Sequence, residues 1–153
     1  MTINAIRRRF VTRLLALGAL PFAPARAADA PVESVEAMVL KLTGGASVKS
    51  GGVKLDLPLL ADNGNSVSLK VSVESPMTAA NHVKSIHLYA ARNPRPNVAN
   101  FYLGPRAGRA QVSTRIRLGG TQRVLAVAAL SDGSFWSATA DVVVTLSACY
   151  DPT

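Results

Sequence analysis

Apolar residues follow two different periods along the chain, and the change between them falls near residue 46. Before it, Val32, Val35, Val39 and Leu42 recur at the spacing of one helix face and predict a short helix over residues 31–43. Pro31 suits the first turn, Glu33 and Glu36 suit the positive N-terminal end, Lys41 suits the last turn, and Gly44-Gly45 ends the helix. A helix this short is marginal alone, so its apolar stripe is expected to pack on something.

After residue 46 the period becomes two. Val67, Leu69, Val71 and Val73 alternate with Ser66, Ser68, Lys70, Ser72 and Glu74, the pattern of a strand with one dry and one wet face. Ile86, Leu88 and Ala90 alternate in the same way with Ser85, His87 and Tyr89, and Val112, Thr114, Ile116 and Leu118 with Ser113, Arg115 and Arg117. Residues 124–130 form an unbroken apolar run, as a more central strand would, and residues 142–146 make the last strand. Residues 53–57 and 98–103 are shorter candidates. Between the runs lie the turn signals Asp62-Asn63-Gly64, Asn93-Pro94-Arg95-Pro96, Gly104-Pro105, Gly119-Gly120 and Asp132-Gly133, the last a hairpin candidate. About seven alternating strands in about 100 residues predict an all-β, immunoglobulin-like sandwich. The expected organisation is a short helix in residues 28–45, the sandwich in 46–146 and a C-terminal arm in 147–153.

Residues 1–27 have a different character. Arg7, Arg8, Arg9 and Arg13 precede a 12-residue apolar run, 14–25, that contains Pro21 and Pro24. A membrane-spanning helix needs about 20 apolar residues. Ala25-Arg26-Ala27 then offers a small-x-small cleavage site, which completes the pattern of an export signal. Arg7-Arg8-Arg9-Phe10-Val11 resembles the twin-arginine signature, with an ordinary secretory signal as the alternative, and either route predicts the bacterial periplasm or beyond. The charge then changes meaning. Five of the 17 basic residues and none of the nine acidic ones fall in the first 27, so removing them takes the chain from 153 residues at +8 to 126 at +3. A nucleic-acid partner is not expected at that charge, nor a membrane once the signal is gone.

Most enzyme chemistries are also unsupported. His82 and His87 are five apart, on opposite sides of any one strand, and lack a clustered third ligand for a metal. No Gly-x-Ser-x-Gly elbow occurs, and Gly44-Gly45 and Gly51-Gly52 lack the lysine and hydroxyl of a phosphate loop. The carboxylates form no acid–base pair, so neither catalytic residues nor a cofactor are expected. Trp136, beside Phe135, reads as a core or interface aromatic. Arg92, Arg95, Arg106, Arg109, Arg115, Arg117 and Arg123 form either a solvated face or an anion- or partner-binding surface.

Cys149 is the only cysteine, which excludes an intramolecular disulfide and any multi-cysteine metal site. It lies just past the last strand in Ser147-Ala148-Cys149-Tyr150-Asp151, a position compatible with chance or with a tethered carrier thiol. The segment from Leu146 to Cys149 extends at most about 13–14 Å, enough for the thiol to enter a partner's cleft. Asp151 nearby disfavours the thiolate, so the sulfur is not self-activating and a partner enzyme would have to activate it.

Several segments together resemble the SoxY family of periplasmic sulfur carriers: Val53-Lys-Leu-Asp-Leu-Pro58, Ala61-Asp-Asn-Gly64, Ser75-Pro-Met-Thr78, Val83-Lys-Ser-Ile86, Asn93-Pro-Arg-Pro96, Ser113-Thr-Arg-Ile116 and Ser131-Asp-Gly-Ser-Phe-Trp136. The resemblance covers nearly all of the chain after the signal. It implies an Ig-like sandwich, a twin-arginine signal, a non-enzymatic role in thiosulfate or sulfur oxidation, and a heterodimer with a separate SoxZ-like chain. It further implies that Cys149 holds covalent sulfur intermediates and presents them to periplasmic sulfur-oxidising enzymes. The family's arm ends Gly-Gly-Cys-Gly-Gly, whereas Ser147 and Ala148 precede the cysteine here and Tyr150 and Asp151 follow it. A ring and a charge thicken an arm that glycine would keep thin, which points to a subgroup serving a different enzyme set or adduct. Two other readings stand beside it: an Ig-like binding or scaffold module whose arm has lost its role, and a thiol relay for another system such as a quinoprotein dehydrogenase.

Overall fold

A computed structural model describes residues 33–148, all within one compact unit. The segment holding Ala25 and Ala27, and Cys149, Tyr150 and Asp151 of the arm, lie outside the described residues. The helix, α1, spans Val35–Thr43. It starts later than the apolar spacing alone predicts, because Ser34 is its cap: the Ser34 hydroxyl accepts from the Ala37 N–H at 3.2 Å. Glu33 therefore lies ahead of the helix, where it pairs with Lys41 at 3.3 Å. Gly44, at φ 62°, ends the helix in the left-handed conformation that glycine adopts without strain. Its stripe of Val35, Val39 and Leu42 is only half-buried, and Thr43 is its one buried residue.

Nine strands follow among the described residues: β1 Val48–Ser50, β2 Val53–Asp56, β3 Leu60–Asn63, β4 Val67–Val73, β5 Val83–Ala90, β6 Asn97–Tyr102, β7 Gln111–Ile116, β8 Gln122–Leu130 and β9 Phe135–Leu146. They form an Ig-like sandwich. One sheet runs β1-β9-β8-β5-β6, with β3 also on β9, and the other runs β2-β4-β7. All pairs are antiparallel except β1 and β3, which join β9 in parallel at Val48↔Phe135 and Leu60↔Val143.

The two inner faces supply the core. Val67, Leu69, Val71 and Val73 of β4 face Ile86, Leu88 and Ala90 of β5, with Val124, Ala126 and Ala128 of β8 and Val142 of β9. Burying each larger aliphatic side chain contributes about 1.5–3 kcal/mol, so the alternation in β4 is the main force that sets its register.

Three expectations change. There are nine strands, not seven, because β1 and β3 are too short to show a period. The last strand begins at Phe135 rather than Val142, which places Trp136 in the sheet, half-buried against the core. And β5 has no wet face: Ser85, His87 and Tyr89 are as buried as the apolar residues between them.

Candidate functional site: the foot of the C-terminal arm

The end of β9 is fastened to two loops by a chain of backbone hydrogen bonds. The Gly64 N–H donates to Leu146 O at 2.7 Å, the Leu118 N–H to Gly64 O at 2.9 Å, and the Ala148 N–H to Leu118 O at 3.1 Å. Gly64 is needed there by proximity. A Cβ on it would strike the Leu118 carbonyl and lie 3.0 Å from both Ala148 N and Val144 Cγ1. Side chains reinforce the fastening. The Thr145 hydroxyl donates to Asp62 O at 2.7 Å, and the Thr121 hydroxyl accepts from the Val144 N–H at 3.0 Å. A Cβ on Gly120 would lie 3.6 Å from the Ser147 hydroxyl.

The strand thus ends at Leu146 while the chain stays attached through Ala148, the residue before Cys149. Consecutive Cα atoms are about 3.8 Å apart. The full 13–14 Å reach counted from Leu146 therefore requires the Ala148 N–H bond to Leu118 O to open. Apolar side chains border this corner: Leu59, Leu60, Val143 and Leu146 are 83%, 56%, 49% and 59% exposed. Ser147 and Ala148, the described part of the arm, are half-buried.

The two histidines do not meet. His82 lies in the loop before β5, its Nδ1 3.1 Å from Thr78 O. His87 is 6% exposed and sits between Asn100 and Ser85. Its Nδ1–H donates to Asn100 Oδ1 at 2.8 Å, and its Nε2 accepts from the Ser85 hydroxyl at 3.0 Å. An amide oxygen can only accept, which assigns the proton to Nδ1 in the neutral ring. Burial pushes the His87 pKa below its ordinary 6.5, against the opposing pull of Asn100. Tyr89 stacks beside the ring and Tyr102 meets it edge-on. Sequence reasoning missed this cluster, although Ser85 and His87 share a strand face and so signalled it. No three His, Cys, Asp or Glu residues among the described residues gather as metal ligands.

The arginines are dispersed. Arg123 makes a two-point pair with Asp141, 2.9 and 3.1 Å, in the open. Arg106 is the middle residue of a 3₁₀ turn, Pro105–Ala107, and Arg109 follows it. Arg115 and Arg117 are both exposed on the β7 side, as the shared strand face predicts. Arg92 binds Thr121 O through its guanidinium at 2.8 Å.

Comparison with known proteins agrees with this architecture. The family model for the sulfur oxidation protein SoxY matches residues 39–149. No curated protein sequence matches. Among solved structures, the sulfur carrier protein SoxY from Chlorobium limicola f thiosulfatophilum superposes with a TM-score of 0.62 at 24% identity, over 74% of this chain and 97% of that one. A superoxide reductase (neelaredoxin) from Ignicoccus hospitalis gives 0.57 at 17% identity, over 63% and 94%. A putative superoxide reductase from Thermotoga maritima gives 0.55 at 16%, over 63% and 93%. At these identities the structural likenesses speak for the fold alone. The family match spans most of the chain and runs through the arm to its cysteine: the chain belongs to the SoxY family of sulfur oxidation proteins.

Proposed function

We propose that the chain is a periplasmic sulfur carrier that holds its cargo covalently on Cys149 and catalyses nothing itself. The observation that carries this reading is that the family match ends at residue 149 and so includes the only cysteine. The geometry at the foot of the arm supports it. Gly64, Leu118 and Ala148 bring the chain to the end of the sandwich immediately before Cys149, and exposed Leu59, Leu60, Val143 and Leu146 offer contact area there to an enzyme that takes the arm. Loading joins the Cys149 sulfur to the sulfur of an incoming anion. The thiol proton leaves, and a partner redox enzyme accepts the two electrons. Release cleaves that S–S bond with water at a later partner: the oxygen goes to the departing sulfur oxyanion and a proton returns to the Cys149 sulfur, which regenerates the thiol.

Export through residues 1–27, cleavage after Ala27 and pairing with a SoxZ-like chain complete the proposal. Asp151 disfavours a reactive free thiolate, so activation falls to the loading enzyme. Intact-mass analysis of the C-terminal peptide from sulfur-grown cells is expected to show sulfur adducts on Cys149. A thiol that stays unmodified, together with a Cys149→Ser strain that oxidises sulfur normally, would sink the carrier reading and favour a binding module.

A further inference from the structure

We propose that the cleft between the free edges of β6 and β7 is a non-covalent binding site for a small tetrahedral oxyanion, formed chiefly by Arg95 and Arg117. The cleft, about 550 Å³, opens where the two sheets part, because β6 ends one sheet and β7 ends the other. Val98, Ala99 and Ile116 give it an apolar lining, and Arg95, Arg115 and Arg117 are its charged residues; among the described residues no carboxylate lines it. Neither Arg95 nor Arg117 has an ion-pair or side-chain hydrogen-bond partner among the described residues. Arg115 is turned partly away, its Nη1 donating to the Ser66 hydroxyl at 3.1 Å.

Two arginines that line one cleft without partners leave their N–H donors free for an anion shared between them. The guanidinium fork matches the oxygens of sulfate- or phosphate-type groups.

The site is also held in shape before any ligand arrives. Asn93, two residues before Arg95, donates from Nδ2 to Arg117 O at 2.9 Å. Its Oδ1 accepts from the Gly119 N–H at 2.8 Å and from Gln122 Nε2 at 3.0 Å. Gln122, 7% exposed, accepts in turn from the Arg92 N–H at 2.9 Å. This network ties the Arg95 loop to the Arg117 segment, so binding does not have to order either backbone. The next residue, Leu118, holds Ala148. The anion site therefore adjoins the foot of the arm, although it needs neither the thiol nor the carrier role.

The test is an amide NMR titration of the full chain at fixed ionic strength, run in parallel with thiosulfate, sulfate, phosphate and chloride. Saturable shifts at Arg95, Asn97 and Arg117 with the oxyanions are expected. Affinity should weaken roughly five- to tenfold in Arg95→Gln and Arg117→Gln, and stay unchanged in Arg109→Gln, which lies outside the cleft, and in Cys149→Ser. A preference for thiosulfate and sulfate over phosphate would mark a sulfur oxyanion as the natural occupant, and the reverse a phosphate. Shifts matched by chloride, no saturation at millimolar anion, or binding that survives in both glutamine variants would overturn the proposal. Loss of binding in Cys149→Ser alone would overturn its independence from the thiol.

Discussion

Replacing Gly64 with alanine probes the fastening of the arm directly. The backbone there is not left-handed, so alanine meets no conformational barrier, and its stiffer unfolded chain favours folding by about 0.4–1 kcal/mol. The new methyl group, however, strikes the Leu118 carbonyl and crowds Ala148 N and Val144 Cγ1. Relief requires the 64–66 turn to move away from β9 and the Leu118 loop. That stretches the Gly64–Leu146 and Leu118–Gly64 bonds, each worth about 1 kcal/mol net. Residual overpacking adds about 1–3 kcal/mol, so the variant is expected to lose about 2–4.5 kcal/mol overall. For a domain of this size that lowers the Tm by about 10 °C. Urea unfolding should show a lower midpoint with an unchanged slope, and hydrogen exchange should show faster exchange of the Leu118 and Ala148 amides. Gly104→Ala is the control, since a Cβ there meets nothing within 4 Å and φ is −139°. If Gly64→Ala unfolds with the wild type and the Ala148 amide keeps its protection, the fastening does not exist as described.

Two further outcomes follow from the packing of the sandwich. His87 has a depressed pKa in the folded state, so the unfolded chain binds its proton more readily and stability falls as pH drops below about 6.5, the ordinary value; unfolding midpoints between pH 7.5 and 5 should fall in the wild type and stay flatter in His87→Gln. Gly52→Ala should destabilise by about 2–3 kcal/mol, because φ is +66° and the added Cβ runs into the Trp136 indole; near-ultraviolet circular dichroism of Trp136 should change with it, and an unaltered spectrum and midpoint would refute the contact.

Much of the architecture is written locally. The apolar alternation in β4 and the unbroken run in β8 each reflect burial that a strand imposes on its own residues, and Gly44 and Asp132-Gly133 mark real chain reversals. What escaped the sequence is what depends on distant partners. β1 and β3 are three and four residues long and exist as strands because β9 offers them a parallel edge about 85 residues away in sequence. The Asp62-Asn63-Gly64 signal is real but shifted, since Asp62 and Asn63 end β3 and the turn follows at Gly64. The polar side of β5 was legible as a face, but not as a buried one, because nothing in Ser85, His87 and Tyr89 states that Asn100 and Tyr102 lie alongside. At the arm, the position of Cys149 was legible from the chain order. The attachment of Ala148 to Leu118 was not, because a backbone bond between two loops leaves no trace in side-chain periodicity.

The place of β9 also governs the order in which the molecule can be made. Among the described residues this strand is the last in chain order, yet it pairs with β8 on one side and with β1 and β3, from the start of the domain, on the other. While the ribosome still holds residues 135–146, β1 and β3 have no edge to join and the 64–66 turn has no carbonyl at Leu146 to bind. A chain emerging N-terminus first can form the β4–β7 ladder and the β5–β6 hairpin, but the closing contacts wait for the final strand. Premature termination anywhere in β9 should therefore yield an open, aggregation-prone sheet edge rather than a smaller stable domain, whereas loss of residues 149–153 should leave a complete fold. The residue that carries the cargo in the proposed function is added only after every strand of the sandwich has been synthesised.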